Sequence, residues 1–117
     1  MATQDFREVL SDELLGVGVS LKSIGTEGTA WYRANVSQVL DALRDTDWAV
    51  LGGDVLRVAG QQIEYSYANW HSEVRSGETR KEFVTRSIEE AMAYISNYPD
   101  DGSEGAHLFA LVCGKVV

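Results

Sequence analysis

The sequence has little cysteine and no long apolar run. Its only cysteine is Cys113, so no intramolecular disulfide can form, which is typical of a reducing compartment. The longest apolar run, from Leu108 to Cys113, is far too short to span a bilayer. The first residues, Met1 to Glu8, lack the basic segment followed by an apolar stretch that marks a secretion signal. We therefore expect a soluble, cytoplasmic protein with no membrane partner.

Positive charge is also scarce. The chain has 10 Lys or Arg residues against 18 Asp or Glu residues, which gives a formal net charge of −8 at pH 7. The basic residues are scattered singly, whereas a protein that binds nucleic acid needs them clustered. This excludes nucleic acid as the expected partner. The acidic excess is largest at the two ends, in residues 1–16 and 100–117.

What is present is the composition of an ordinary globular domain. Hydrophobic residues make up 44% of the chain and charged residues 24%, so burial can offset the entropy of folding. The length of 117 residues supports one core rather than two. We expect a single domain over residues 1–117.

Three helices are predicted from hydrophobic spacing of 3.6 residues. The first is one amphipathic helix over Thr3 to Leu15. The second runs from about Val36 to Asp45, with a capping box at Asn35 to Gln38. The third begins at the capping box Thr79 to Glu82 and is closed by Asn97 and Pro99.

Three strands are predicted between and after these helices. Trp48 to Val58, interrupted by Gly52–Gly53, forms a hairpin with the alternating segment Ile63 to Tyr67. The paired glycines indicate a bulge or a close backbone approach. Leu108 to Cys113, continued by Lys115 to Val117, predicts a central or buried strand, and Gly16 to Gly28 an ordered loop. The order α-α-β-β-α-β predicts an α+β fold, with a small, mainly antiparallel sheet packed against about three helices.

Catalytic and cofactor motifs are weak. Cys113 lies in an apolar strand, where a thiol is usually inert and has a raised pKa. His71 and His107 lack the paired spacing of a zinc site. Gly16-Val-Gly18 resembles the start of a dinucleotide fingerprint, but Leu21 stands where the third glycine belongs. Adjacent carboxylates are typical of a solvated face and occur at Glu89–Glu90 and Asp100–Asp101. We expect no enzyme activity, no cofactor and no metal.

Aromatic and polar residues are concentrated on the hairpin and just after it. Tyr and Trp dominate binding hot spots, although at strand spacing such residues also form cores. We expect Trp48 to be core and leave both possibilities open for Tyr67 and Trp70. The glycines at 52 and 53 have two interpretations. In the first, they let a partner approach the backbone closely and redirect the Asp54 side chain. In the second, they pack under an aromatic residue such as Trp48, and Asp54 accepts a hydrogen bond from a local backbone amide. The second interpretation is slightly favoured.

Five strings of the sequence, in this order and spacing, resemble the immunity protein 40 family of bacterial polymorphic toxin systems. They are Val50-Leu-Gly-Gly-Asp-Val55, Tyr65-Ser-Tyr-Ala-Asn-Trp70, Arg86-Ser-Ile-Glu-Glu-Ala91 with Tyr94-Ile-Ser-Asn-Tyr98, and a final Phe-Ala-Leu-Val strand. The resemblance extends from about Val19 onward and leaves the first helix outside. It implies a small cytoplasmic, non-enzymatic protein that binds a cognate toxin domain, and it transfers no binding residues.

The leading hypothesis is therefore a protein that occludes the active site of a cognate toxin, whose basic cleft, as in a nuclease, would attract an acidic partner. One alternative is a small-ligand or regulatory domain with a pocket lined by Tyr65, Tyr67 and Trp70. Another is a weak hydrolase using His71 with Asp54 or Glu73. The residues predicted to bind the toxin are Asp54, Tyr67, Asn69, Trp70, Asp100, Asp101 and Glu104.

Overall fold

Five antiparallel strands form one sheet in the computed structural model, which describes residues 5–99 and 107–116. Three α-helices accompany the sheet over these residues, so the predicted α+β class is confirmed. The strands lie side by side in the order β1-β2-β5-β3-β4. They are β1 (Val19–Ser20), β2 (Thr29–Tyr32), β3 (Trp48–Ala59), β4 (Gln62–His71) and β5 (His107–Lys115), and the helices are α1 (Asp12–Gly16), α2 (Arg33–Ala42) and α3 (Arg80–Asn97).

The predicted hairpin and central strand are confirmed. β3 pairs with β4 around a turn at Gly60, and β5 lies between β2 and β3. β3 is one continuous strand, so the glycines do not break it, but the predicted bulge is confirmed, because the register of β3 against β5 shifts between Val50 and Gly52. A second shift, against β4, lies between Asp54 and Leu56.

α2 and α3 cover one face of the sheet and bury the main core. α3 has the predicted capping box, in which the Thr79 hydroxyl accepts from the Glu82 N–H and the Glu82 carboxylate accepts from the Thr79 N–H. The capping box predicted at Asn35 is wrong. α2 follows β2 directly, with Tyr32 at its N-cap, because burial of Val36 and its apolar neighbours fixes the helix rather than a side-chain cap.

The single N-terminal helix predicted over Thr3 to Leu15 is also wrong. Residues 1–4 lie outside the described part, and the rest forms a 3-10 turn (Phe6–Val9) followed by α1. The Asp5 carboxylate accepts from the Arg7 N–H, and the Ser11 hydroxyl accepts from the Leu14 N–H. These two local caps start separate turns, which allows the extended Leu10 between them to enter the core.

The segment predicted as a loop from Gly16 to Gly28 contains β1, and β2 follows it immediately. Both were missed, and with them the sheet grows from three strands to five. Within this segment Leu21 is buried against Ala30, Leu56 and Leu108. It thereby covers part of the sheet face that α2 and α3 do not reach.

Candidate functional site

The face of the sheet opposite α2 and α3 is the candidate site, because part of it is uncovered. Side chains alternate between the two faces of a strand, so the pairing registers define rows across this second face. One row contains Leu108, Leu56 and Tyr65, and Leu21 packs on its buried part. The uncovered area, which we call the open-face patch, consists of Asp54, Tyr65, Tyr67, Asn69 and Val112.

The next row is made of small and polar side chains. Ala30, Ala110, Asp54 and Asn69 lie side by side across β2, β5, β3 and β4. Asp54 is exposed, and no hydrogen bond or ion pair to its side chain occurs within residues 5–99 and 107–116. The expected bond from Asp54 to a local amide is therefore absent from the described structure. The carboxylate charge is left for solvent or a partner.

Tyr67 is the most exposed large side chain of the patch. It is 88% exposed, against 48% for Tyr65, and the two ring centroids lie 6.3 Å apart. Its backbone has φ 64°, in the left-handed region that a bulky residue rarely adopts. The Ser66 hydroxyl holds this kink, donating to the Val55 carbonyl at 2.7 Å and accepting from the Ala68 N–H at 3.2 Å. The backbone thus pushes the Tyr67 ring outward.

Trp70 is not part of this patch. It lies on the helix-facing side of the sheet, opposite Gly53, and its ring stacks on Tyr94 with centroids 4.7 Å apart. A Cβ at Gly53 would overlap the Trp70 indole, and one at Gly52 would overlap the Trp70 carbonyl. The glycines therefore admit Trp70, and not Trp48, which is itself buried as predicted. Within the described residues the buried Trp70 indole N–H has no acceptor.

A groove of about 370 Å³ begins at the open-face patch. Strand residues line it, together with Thr26 and Gly28 of the loop before β2 and with the N-terminal turn. In that turn the Arg7 guanidinium donates to the Asp5 carboxylate at 2.9 Å and to the Thr29 hydroxyl at 2.8 Å. The hydrogen bond from Arg7 holds the pKa of Asp5 below its ordinary value. Arg7 and Asp5 neutralise each other, so Asp54 gives the groove its net negative charge.

Away from this patch, Arg86 ties the segment before α3 to the helix. Its guanidinium donates two hydrogen bonds to Glu78, at 2.7 and 2.8 Å, and one to Glu90 at 2.8 Å. The bonds from Arg86 to Glu78, together with one from the Arg75 N–H, lower the pKa of Glu78 to about 2. Ser72, whose hydroxyl donates to Glu90 at 2.7 Å, joins the same network. This arrangement serves to anchor the loop, because its charges are already paired.

Cys113 behaves as the sequence predicts. Burial, with a smaller contribution from the negative charge of Asp5, raises the pKa of its thiol to about 12. The thiol therefore stays protonated at neutral pH and is a poor nucleophile.

The two alternative functions gain no geometric support. Tyr65, Tyr67 and Trp70 do not line one pocket, since Trp70 points to the other side of the sheet. The hydrolase hypothesis requires a hydrogen bond from His71 to Asp54 or Glu73, and none occurs among residues 5–99 and 107–116.

In the same residues no group of three or more potential ligand side chains is placed to hold a metal ion. None of the helices described there has the length and hydropathy needed to cross a membrane.

Of the seven residues predicted to bind a partner, the structure brings together Asp54, Tyr67 and Asn69 and separates Trp70 from them. Asp100, Asp101 and Glu104 lie outside the described residues. Sequence reasoning missed Val112, which is half-exposed in the same patch, and the groove residues Asp5 and Arg7. Strict alternation along the final strand would have placed Val112 on the face of Ala110. No local signal connects the N-terminal turn to β5.

The sequence also matches a known protein family. The family model described as Immunity protein 40 matches residues 20–113, which is most of the chain and includes β2 to β4, α2, α3 and most of β5. Comparisons with curated proteins and with solved structures returned no significant match.

Proposed function

The chain belongs to the immunity protein 40 family, and from this premise we propose that it binds a cognate bacterial toxin domain and neutralises it by covering the active site of that toxin. The family match over residues 20–113 is the observation that carries the proposal. An immunity protein of this kind acts by binding in the cytoplasm of the producing cell. No catalytic group of its own is needed.

The open-face patch is the surface we assign to the toxin. It places two exposed tyrosines beside Asp54 and Asn69, with Val112 completing an apolar margin. Tyrosine gives a large contact area with few rotatable bonds, so ordering it in an interface costs little entropy. Polar groups at the edge of such a centre add specificity. The same composition is typical of interface hot spots.

Charge supports a basic partner. A net charge of −8 speeds the encounter with a positively charged cleft, such as that of a nuclease, and opposes binding to nucleic acid itself. Asp100, Asp101 and Glu104 add to this field by their position in the sequence, and we propose that they contribute to the encounter. The association rate constant should then fall steeply as ionic strength rises.

The first experiment is co-expression with the toxin domain encoded in the neighbouring reading frame. Growth should be rescued, and the two proteins should elute together in gel filtration. Expression of the toxin with an unrelated acidic protein of similar size is the control for non-specific charge effects. Failure of both rescue and co-elution would contradict the proposed function.

A second experiment separates the acidic turn from the third helix. Charge reversal at Asp100, Asp101 and Glu104 should lower the association rate constant more than reversal at Glu89, which is exposed on α3. Stopped-flow measurements at several salt concentrations give both rate constants. The opposite ranking would move the interface to α3.

A further inference from the structure

The groove beside Asp54 has features that suit a single basic side chain. Its lining strands contribute Ala110 and Leu56 next to Asp54, and Tyr65 stands at the β4 side. Ala110 is small and lies directly opposite Asp54, between larger side chains of the neighbouring rows. This leaves space for an elongated side chain to lie beside the carboxylate.

The charges that line the groove also favour a positively charged ligand. The guanidinium of Arg7 is already held by Asp5 and Thr29, so it is not available to Asp54. Arg57, the basic residue nearest along β3, points to the opposite face, where it forms an ion pair with Glu64 at 3.1 Å. Within residues 5–99 and 107–116, Asp54 therefore has no cationic partner, and its negative charge lies at a partly enclosed surface. An incoming cation would gain a charge-assisted hydrogen bond there.

Aromatic rings make arginine the better fit. A guanidinium is planar, stacks on an aromatic ring and can donate two parallel hydrogen bonds to one carboxylate, whereas the ammonium group of lysine is a compact, strongly hydrated charge. Tyr65 lines the groove, and Tyr67 stands beside Tyr65. Arginine is also enriched among interface hot spots.

Resting on the proposed function, we propose that the groove receives one arginine side chain of the toxin, whose guanidinium pairs with Asp54 and stacks on Tyr65. This pairing deepens the assignment of the open-face patch by naming the chemical group that it recognises. It also gives the N-terminal turn a part in recognition, since Asp5 and Arg7 line the groove although they lie outside the family match.

The first test uses the free protein and no toxin. Acetyl-arginine amide is titrated into the 15N-labelled protein, with acetyl-citrulline amide as the uncharged analogue of the same shape. The arginine compound should shift the amide resonances of Asp54, Tyr65 and Ala110, and Asp54→Asn should abolish the shifts. Equal effects of both compounds, or no shifts at these residues, would overturn the inference whether or not a toxin binds.

The second test uses the toxin domain that rescues growth in the co-expression experiment. Asp54→Asn and the groove-filling Ala110→Leu should each weaken binding at least tenfold, and Glu89→Gln, on the opposite side of the molecule, should stay within twofold of wild type. Circular dichroism and urea midpoints establish that each variant is folded. If wild type binds no toxin, the proposed function fails; if Asp54→Asn binds as tightly as wild type, only the arginine assignment fails.

Discussion

The left-handed backbone of Tyr67 leads to an unusual order of stability between two substitutions. Tyr67→Gly and Tyr67→Ala both remove a ring that is 88% exposed, so both lose little buried area. The two substitutions differ in how much backbone strain they leave at this position. At φ 64° a residue with a Cβ is strained by about 1–2 kcal/mol, and glycine is not.

The expected difference is about 0.5–1 kcal/mol in favour of glycine. Relief of the strain exceeds the additional entropy of glycine in the unfolded chain, which is about 0.5–1 kcal/mol. At an ordinary strand position only the entropy difference remains, so alanine is the more stable. Tyr65, which pairs with Leu56 and does not have the positive φ of Tyr67, provides that comparison. Tyr65→Ala should therefore be more stable than Tyr65→Gly.

Urea unfolding at pH 7, monitored by circular dichroism, measures all four variants. Equal m-values are required, because the comparison assumes that the unfolded states expose similar surface. The toxin affinity of Tyr67→Gly and Tyr67→Ala should fall together, at least tenfold, since both lack the ring. If Tyr67→Ala is as stable as Tyr67→Gly or more stable, the backbone at residue 67 is not strained. If both bind as wild type does, Tyr67 lies outside the interface.

Three further predictions concern the rest of the fold. Hydrogen bonds from Arg86 and from the Arg75 N–H lower the pKa of Glu78 from 4.5 to about 2, so their contribution to stability is complete above pH 4.5 and is lost as the pH falls towards 2. The urea midpoint of wild type should therefore drop more steeply in this range than that of Glu78→Gln. Cys113, protonated at neutral pH, should react with a thiol reagent much more slowly in the folded protein than in urea. Gly53→Ala should destabilise the fold by about 1–3 kcal/mol, because its Cβ overlaps the Trp70 ring.

Matched control variants exist for the Glu78 and Gly53 predictions. Glu89→Gln removes an exposed carboxylate from α3 and should leave the acid dependence of the urea midpoint unchanged. Gly16→Ala adds a Cβ where no atom lies within 4 Å, so it should not destabilise the protein as Gly53→Ala does. Equal reaction rates of Cys113 with and without urea would show that the thiol is not buried.

The elements predicted correctly are those with local signals. α3 has both a capping box and a long apolar stripe, and the hairpin has alternation on each side of a glycine turn. β2 was missed because four residues are too short to show a period, and its partner β5 is distant in the sequence. The prediction of a single N-terminal helix was wrong because it relied on a local signal alone. Its apolar spacing is helical, but two local caps divide it.

The candidate site was predicted in part. Asp54 and Asn69 come together because they are paired across β3 and β4. Trp70 was grouped with them by its nearness in sequence, although adjacent residues of a strand point to opposite faces. The positive φ of Tyr67 leaves no mark in the sequence, since it depends on two hydrogen bonds made by Ser66. The groove depends on contacts between segments far apart in the chain.

The kink at Tyr67 also affects whether two copies of the protein can pair through their sheet edges. β4 is an edge strand of ten residues, long enough to accept a strand from a second molecule and so begin aggregation. The left-handed residue divides this edge into two short stretches that an incoming straight strand cannot follow. At the other edge β1 has only two residues. The same bend that exposes the Tyr67 ring thus keeps a long strand edge from becoming a template for self-association.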